Sequence, residues 1–266
     1  MNALNENLVI VIPARKNSKR LKNKNFKNFF GFPLFEWSLA AGLFLKQQLS
    51  GLREILVVCT SDDDQILDLV KKKYSSSVLA VRRKPELSDD NAILSDVIFD
   101  CIYRLAERHV IRLDDYLAGS FILLQPTSPI RLKDDLVSFC RQIKNLGNNL
   151  SMVSVNKNYS EIKDIHEIIK FSEAKSDFLL GHIGKKLLKV RDIKKNSNSA
   201  FVDGSLYLGL MSTLKEKGFM PVAKTLAFPL SIKRSIDIDT EKEFDNALML
   251  IKELQNLGIE YVSPKI

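Results

Sequence analysis

An apolar run, Leu8-Val-Ile-Val-Ile12, emptying straight into a basic loop constrains this chain more than any other feature. A short continuous apolar run rich in β-branched residues reads as a strand buried on both faces, the kind found in parallel sheets. The loop behind it, IPARKNSKRLKNKN from Ile12 to Asn25 and on to Lys27, carries seven cations: Arg15, Lys16, Lys19, Arg20, Lys22, Lys24 and Lys27. No acid occurs between Ala14 and Phe35. Most charge runs are solvated faces and nothing more. This one follows a first strand, and open α/β sheets bind ligands beyond the carboxyl ends of their strands. We read it as a cradle for a polyanion, a triphosphate by its charge.

The rest of the chain supports the fold that such a strand needs. Strands are expected at residues 8–12, 54–59, 77–81, 120–124 and 150–155, with amphipathic helices at 34–48, 62–74, 91–108 and 132–145 between them. That alternation predicts an α/β fold, a mostly parallel, Rossmann-like sheet with helices on both faces. From 156 to 200 the rhythm breaks into a Lys-, Ser- and Asn-rich stretch, long for a connection and read as a small excursion that packs on a partner subunit. Strands at 205–210 and 222–228 and a closing helix at 240–257 follow. The organisation expected is one nucleotide-binding unit from 1–155 and 201–266, interrupted by the 156–200 excursion.

Composition narrows the partners. The net charge of +8 is nearly accounted for by the seven loop cations, which favours a discrete anionic ligand over a nucleic-acid track. Cys59, Cys101 and Cys140 are odd in number and set in apolar stretches, so they read as core residues of a reducing compartment. No signal-peptide pattern opens the sequence and no window of about 18 apolar residues exists, so a soluble cytoplasmic protein is expected, with no membrane partner.

Three constellations carry chemistry. The basic loop lacks both GxxxxGK[ST] and GxGxxG. Its Lys19 and Lys24 are spaced to reach different phosphates, Arg15 can grip one with two nitrogens, and Ser18 and Asn17 add donors. The second is Leu123-Leu-Gln125-Pro-Thr-Ser-Pro-Ile-Arg131, where two prolines stiffen the exit of a strand and set Gln125, Thr127, Ser128 and Arg131 on the same sheet edge. A Pro-stiffened turn with Thr127 or Ser128 capping the next helix is the competing reading. The third is Ser235-Ile-Asp237-Ile-Asp239-Thr-Glu241. Alternation sends both isoleucines inward and both carboxylates to one face, an oxygen pair suited to Mg²⁺. Here the competing reading is a capping box of Thr240 and Glu243 that starts the last helix. His166-Glu-Ile-Ile-Lys170 lacks the second histidine of a zinc-protease helix, and His109 reads as a helix C-terminal residue.

IPARKNSKRLKNKN, LLQPTSPIR, DGSLYLG and IDIDTEKEF, in this order, resemble the CMP-N-acylneuraminate synthetases, or acylneuraminate cytidylyltransferases, over residues 8 to 247. The resemblance implies a nucleotide-diphospho-sugar transferase type of fold and the reaction of CTP with a sialic-type nonulosonic acid, giving the CMP-sugar and pyrophosphate with Mg²⁺. It implies that Arg15, Ser18, Lys19, Lys24 and Asn25 hold the nucleotide's phosphates and ribose. The stretch from Val81 to Ala92 is similar to the family's RPxxLAxDxA segment, which implies Arg83 and Ala92 near the cytosine. Gln125, Arg191 and Tyr207 match acceptor-binding positions, and Asp237 and Asp239 match the metal-binding aspartates. Lys19, Lys24, Asp237 and Asp239 are the implied catalytic set, and a homodimer is the implied assembly. Where the family has two glycines before Ser18 and a proline after Leu21, this chain has Lys16, Asn17 and Lys22, and Asn17 is expected to supply the left-handed backbone of a glycine.

The implied chemistry needs no covalent intermediate: the anomeric hydroxyl of the sugar acid attacks the α-phosphorus of CTP. Competing expectations are a cytidylyltransferase for legionaminic, pseudaminic or 3-deoxy-octulosonic acid, a non-catalytic nucleotide-binding relative, and an RNA-binding module. The last is disfavoured because the cations form one short loop and not a stripe.

Overall fold

Alternation along the first strand, β1 (Leu8–Pro13), assigns its residues to two cores. Leu8, Ile10 and Ile12 join one buried cluster, and Val9 and Val11 join another on the opposite face. The computed structural model describes residues 7–51, 54–89, 91–145, 151–156, 166–170, 177–180, 199–217, 225–230 and 236–265. Helices α1 (Leu34–Gln48), α2 (Asp64–Tyr74) and α5 (Lys133–Asn145) pack the first face through Phe35, Leu39, Leu45, Ile66, Val70 and Phe139. Helices α3 (Leu94–Glu107), α4 (Leu113–Leu117) and α6 (Met211–Lys217) cover the second through Ile98, Ile102, Tyr116, Met211 and Leu214. A strand buried on both faces therefore has helices on both, as its composition requires. Cys59, Cys101 and Cys140 are free and buried, as expected of core residues.

A two-stranded ribbon, β2 (Asn28–Phe29) with β3 (Phe32–Pro33), precedes α1. The main sheet adds β4 (Ile55–Ser61), β5 (Leu79–Arg82), β6 (Ser120–Leu123), β7 (Ser151–Asn156), β8 (His166–Lys170), β9 (Asp177–Leu180), β10 (Ser199–Leu210) and β11 (Thr225–Leu230). Their order is β5-β4-β1-β6-β10-β7-β11-β9-β8, and β8 also pairs with the start of β10. The central strands β5, β4, β1 and β6 are parallel, as the alternation predicts. β10 departs from it, running antiparallel to both β6 and β7, while β11 is parallel to β7. An apolar run carries no direction; direction is set by the connection that delivers the strand. α4 and α6, of five and seven residues, are unpredicted, being too short to display a helical period.

A third cluster is built outside the main sheet's strands. Leu21 of the basic loop, Phe29, Trp37, Ile130 and Ile238 pack there with Phe244, Ala247 and Ile251 of the last helix, α7 (Glu241–Asn256). Trp37 Nε1 donates to the carbonyl of Phe29 at 3.0 Å, so the indole is buried without losing its hydrogen bond. The cluster fastens the basic loop and the aspartate segment to one another before any ligand is considered.

Candidate active site

The carboxyl ends of four parallel strands deliver the polar residues. Arg15 follows β1, Asp62 follows β4, Arg83 follows β5 and Gln125 follows β6. Two adjoining recesses open at this edge. The larger, of about 840 Å³, is lined by Arg15, Ser18, Lys19, Asp62, Arg82 and Arg104 among others. The smaller, of about 320 Å³, takes in Lys24, Asn25, Ala92, Gln125, Asp237 and Asp239. Arg15, Arg83 and Asp89 line both. The segments singled out from sequence thus meet in one place.

The loop is shaped by its own backbone contacts. Asn25 Nδ2 donates to the carbonyl of Arg15 at 2.8 Å, closing the loop on itself. The backbone N–H of Lys16 donates to Asp62 Oδ1 at 2.8 Å, which ties the loop to the end of β4. The left-handed residue is Asn23, with φ 52°, just before a 3-10 turn, Lys24–Phe26. This corrects the expectation for Asn17. Among the described non-glycine residues with positive φ, neither Lys16 nor Asn17 appears, so the sequence has no need of glycine at either. Lys16 is exposed and lines neither recess.

Lys24 is buried and faces the aspartates. Its Nζ donates to the carbonyl of Ile238 at 2.7 Å and to Asp239 Oδ1 at 2.8 Å. Arg20 Nη2 takes the other Asp239 oxygen at 2.6 Å, and Lys27 pairs with Glu241. Partial burial would raise the Asp239 carboxyl pKa; the Lys24 hydrogen bond and charge, with Arg20 and Arg15, hold it below the usual carboxylate value instead. Asp237 behaves oppositely. Solvent reaches it from the recess, yet the surrounding protein removes enough water to raise its pKa, and Asp239 adds to the rise against a hydrogen bond from Thr127. The capping box is also present: Thr240 Oγ1 accepts from Glu243 N at 3.3 Å, and Glu243 accepts from the N–H groups of Asp239 and Thr240 at 2.8 Å each. Site and cap are therefore not alternatives here. The cap holds the backbone on which the aspartates stand.

Arg83 is a buried charge with little compensation. It is 5% exposed, its Nη2 donates to the carbonyl of Thr60 at 2.9 Å, and its Nε is buried with no partner. Burial pushes its pKa below the usual arginine value, against modest support from Cys101, Asp62 and Cys59. Gln125 lines the smaller recess, whereas Arg131 turns inward to the core. Thr127 and Ser128 do not cap a helix, since α5 begins only at Lys133. Tyr207 sits opposite Leu123 in the sheet and packs against the second core cluster, outside both recess linings. Arg191 lies outside the described residues. Asp62, Arg82, Asp89 and Arg104 are residues that sequence reasoning passed over. The signal for Asp62 was available: it directly follows the carboxyl end of a buried strand, as Arg15 and Gln125 do.

The chemistry of the donor set fits a hard dication. Mg²⁺ is typically held by one or two carboxylates, with water and phosphate oxygens completing its shell. Among the described residues no group of three or more potential metal ligands gathers, so the protein offers this pair. Asp237 faces the recess, and Asp239 would join it as Arg20 or Lys24 turned to another anion.

Comparison with known proteins gives the family. The family model described as Cytidylyltransferase matches residues 9–255. CMP-N,N'-diacetyllegionaminic acid synthase of Legionella pneumophila is 32% identical over 236 residues, spanning 88% of this chain and 91% of its own. Pseudaminic acid cytidylyltransferase of Campylobacter jejuni is 26% identical over 242 residues, spanning 91% and 95%. The structure of CMP:2-keto-3-deoxy-manno-octonic acid synthetase complexed with CTP shares the fold, with a TM-score of 0.62 at 14% identity over 93% of this chain and 99% of that one. With the match running through nearly the whole chain and its motifs gathered at one sheet edge, the chain belongs to the cytidylyltransferase family.

Proposed function

We propose that the protein transfers CMP from CTP to a nonulosonic acid, a nine-carbon keto-sugar acid, releasing pyrophosphate. The observation that carries this reading is the smaller recess, where Arg15, Lys24 and Arg83, the Asp237–Asp239 pair and Gln125 meet. Cations for a polyphosphate, acids for a dication and an amide for a sugar acid lie in one cavity. The LLQPTSPIR segment favours a sialic-type acid such as N-acetylneuraminate over 3-deoxy-octulosonate as the acceptor. The 32% identity to the legionaminic acid synthase favours N,N'-diacetyllegionaminate as a second reading.

In the reaction, the anomeric hydroxyl oxygen forms a bond to the α-phosphorus of CTP. The bond from that phosphorus to the bridging oxygen of the β-phosphate breaks, the pair of electrons leaves with pyrophosphate, and the hydroxyl proton passes to solvent. Arg15 and Lys19, with Ser18, hold the departing phosphates and offset the charge that grows on them. Lys24 has spent two of its three hydrogens on Ile238 and Asp239, so one is left to donate to a phosphate oxygen. Asn25 acts through the loop that it closes. Arg83 and Ala92 flank the base. Gln125 orients the acceptor, with Arg191 as a further acceptor residue. Catalysis of this kind is positioning and charge neutralisation. Mg²⁺, when bound at Asp237 and Asp239, supplies Lewis-acid neutralisation of the α-phosphate. The same reading includes a homodimer in the cytoplasm, with residues 156–200 at the contact.

The experiment is a pyrophosphate-release assay with CTP against N-acetylneuraminate, N,N'-diacetyllegionaminate, pseudaminate and 3-deoxy-octulosonate, each with and without Mg²⁺. Release that requires CTP, Mg²⁺ and one of the nine-carbon acids is expected. Release with none of them overturns the proposal.

A further inference from the structure

β10 does not run as a regular strand past the site. Its pairing with β7 shifts register between Val202 and Tyr207. Bulges of this kind bend a strand and re-aim its side chains, commonly beside active sites. They also break ladder hydrogen bonds, and here buried side chains replace them. Ser154 is fully buried; its Oγ accepts from Leu206 N at 2.9 Å and donates to Leu206 O at 3.2 Å. Arg131 is 3% exposed and donates to Ser205 O from Nε at 3.1 Å and from Nη2 at 3.0 Å.

The same guanidinium reaches the substrate edge. Nη2 donates to the carbonyl of Gln125 at 3.0 Å, and Nη1 donates to Ser38 Oγ at 3.0 Å. Ser38 Oγ in turn donates to the carbonyl of Gln125 at 3.1 Å. One planar group thus fixes the end of β6, the bulge of β10 and helix α1 relative to one another. Gly204, in the bulge, has φ +81°, and a Cβ there would stand 3.0 Å from Gln125 Oε1. The bulge therefore lies directly against the amide of Gln125. Ser128 Oγ, buried and without a partner, closes the same junction.

We propose that Arg131 and Ser154 are positioning residues which hold the β10 bulge against Gln125 and so fix the orientation of its amide. The inference rests on the reading of Gln125 as the acceptor contact. Arg131→Lys keeps the charge and loses the planar fork that serves Ser205 O, Ser38 Oγ and Gln125 O at once. Steady-state rates with N-acetylneuraminate and N,N'-diacetyllegionaminate, and CTP binding by calorimetry, are measured for the wild type, Arg131→Lys, Gly204→Ala and Gln125→Ala. Arg131→Lys and Gly204→Ala are expected to raise the acceptor KM by about tenfold to a hundredfold, with the CTP Kd within about twofold. Equal losses for CTP and acceptor, or no change in either, overturn the positioning role. Should Arg131→Lys fail to fold, Ser154→Ala, which removes both bonds to Leu206 and is expected to give the same KM split, decides in its place. Gln125→Ala separates the two readings: an unchanged acceptor KM there removes the role of Gln125, whereas a raised one beside an unmoved Arg131→Lys removes only the role of Arg131.

Discussion

Replacing Arg83 by Met is expected to stabilise the ligand-free protein while weakening its hold on nucleotide. Arg83 is buried, makes no ion pair among the described residues and leaves Nε without an acceptor. Met keeps the apolar stem and removes the guanidinium. The bond from Nη2 to Thr60 O is lost, at a cost of about 0.5–1.5 kcal/mol. That carbonyl is not orphaned, because it still accepts from Ala14 N at 2.9 Å. Removing an unsatisfied buried donor returns about 1–3 kcal/mol, and removing a buried charge adds to that. The net gain is about 1–2 kcal/mol, worth about 2–4 °C in Tm for each kcal/mol in a chain of this length. Nucleotide binding moves the other way. Losing a charged hydrogen bond worth about 2 kcal/mol raises the CTP Kd roughly thirtyfold. At a CTP concentration of 100 times the wild-type Kd, stabilisation by ligand then falls from about 2.7 to about 0.9 kcal/mol. Thermal unfolding with and without CTP, paired with calorimetry, reads both effects. A lower Tm without ligand, or a CTP-induced shift equal to that of the wild type, refutes the reasoning.

Asp239→Ala should lower the rate of pyrophosphate release by about tenfold to a hundredfold at saturating Mg²⁺, equivalent to about 1.4–2.8 kcal/mol; near-normal turnover sinks its assignment to the metal pair. Asp237→Asn should raise Tm at neutral pH. The folded-state pKa of Asp237 lies above its unfolded value, so the ionised form subtracts stability above that window and nothing below it. The gain should therefore shrink as pH falls through the window, and a gain that persists in acid contradicts the sign. Thr240→Ala removes half of the capping box and should cost about 1 kcal/mol, seen as a Tm lower by about 2–4 °C, with the CTP KM within about twofold of the wild type.

What the sequence disclosed and what it withheld divide along the range of the interaction involved. The run Leu8–Ile12 carries its own evidence: five apolar residues in a row can be satisfied only by cover on both faces, so the strand and its flanking helices were legible. The last helix was legible for the same reason, since Thr240 and Glu243 form their box within four residues. Strand direction was not, because an apolar run such as that of β10 carries no direction of its own. The basic loop sits between these cases. Its charge was readable, but charge alone does not say which cation meets a ligand and which is consumed by the fold. Lys24 and Lys19 look alike in the sequence. In three dimensions Lys24 is buried on the carbonyl of Ile238 and the carboxylate of Asp239, while Lys19 stands exposed at the larger recess. The difference comes from Leu21, Phe29 and Ile238, which pack the loop onto the aspartate segment from more than two hundred residues away. Left-handed backbone was misplaced for a related reason. Asn17 and Asn23 have the same intrinsic tolerance, and the burial of Leu21 together with the 3-10 turn at Lys24–Phe26 puts the reversal at Asn23. A loop like this is written twice, once in charges that the sequence displays and once in apolar anchors whose partners only the fold supplies. The second writing decides which of the charges remain for chemistry.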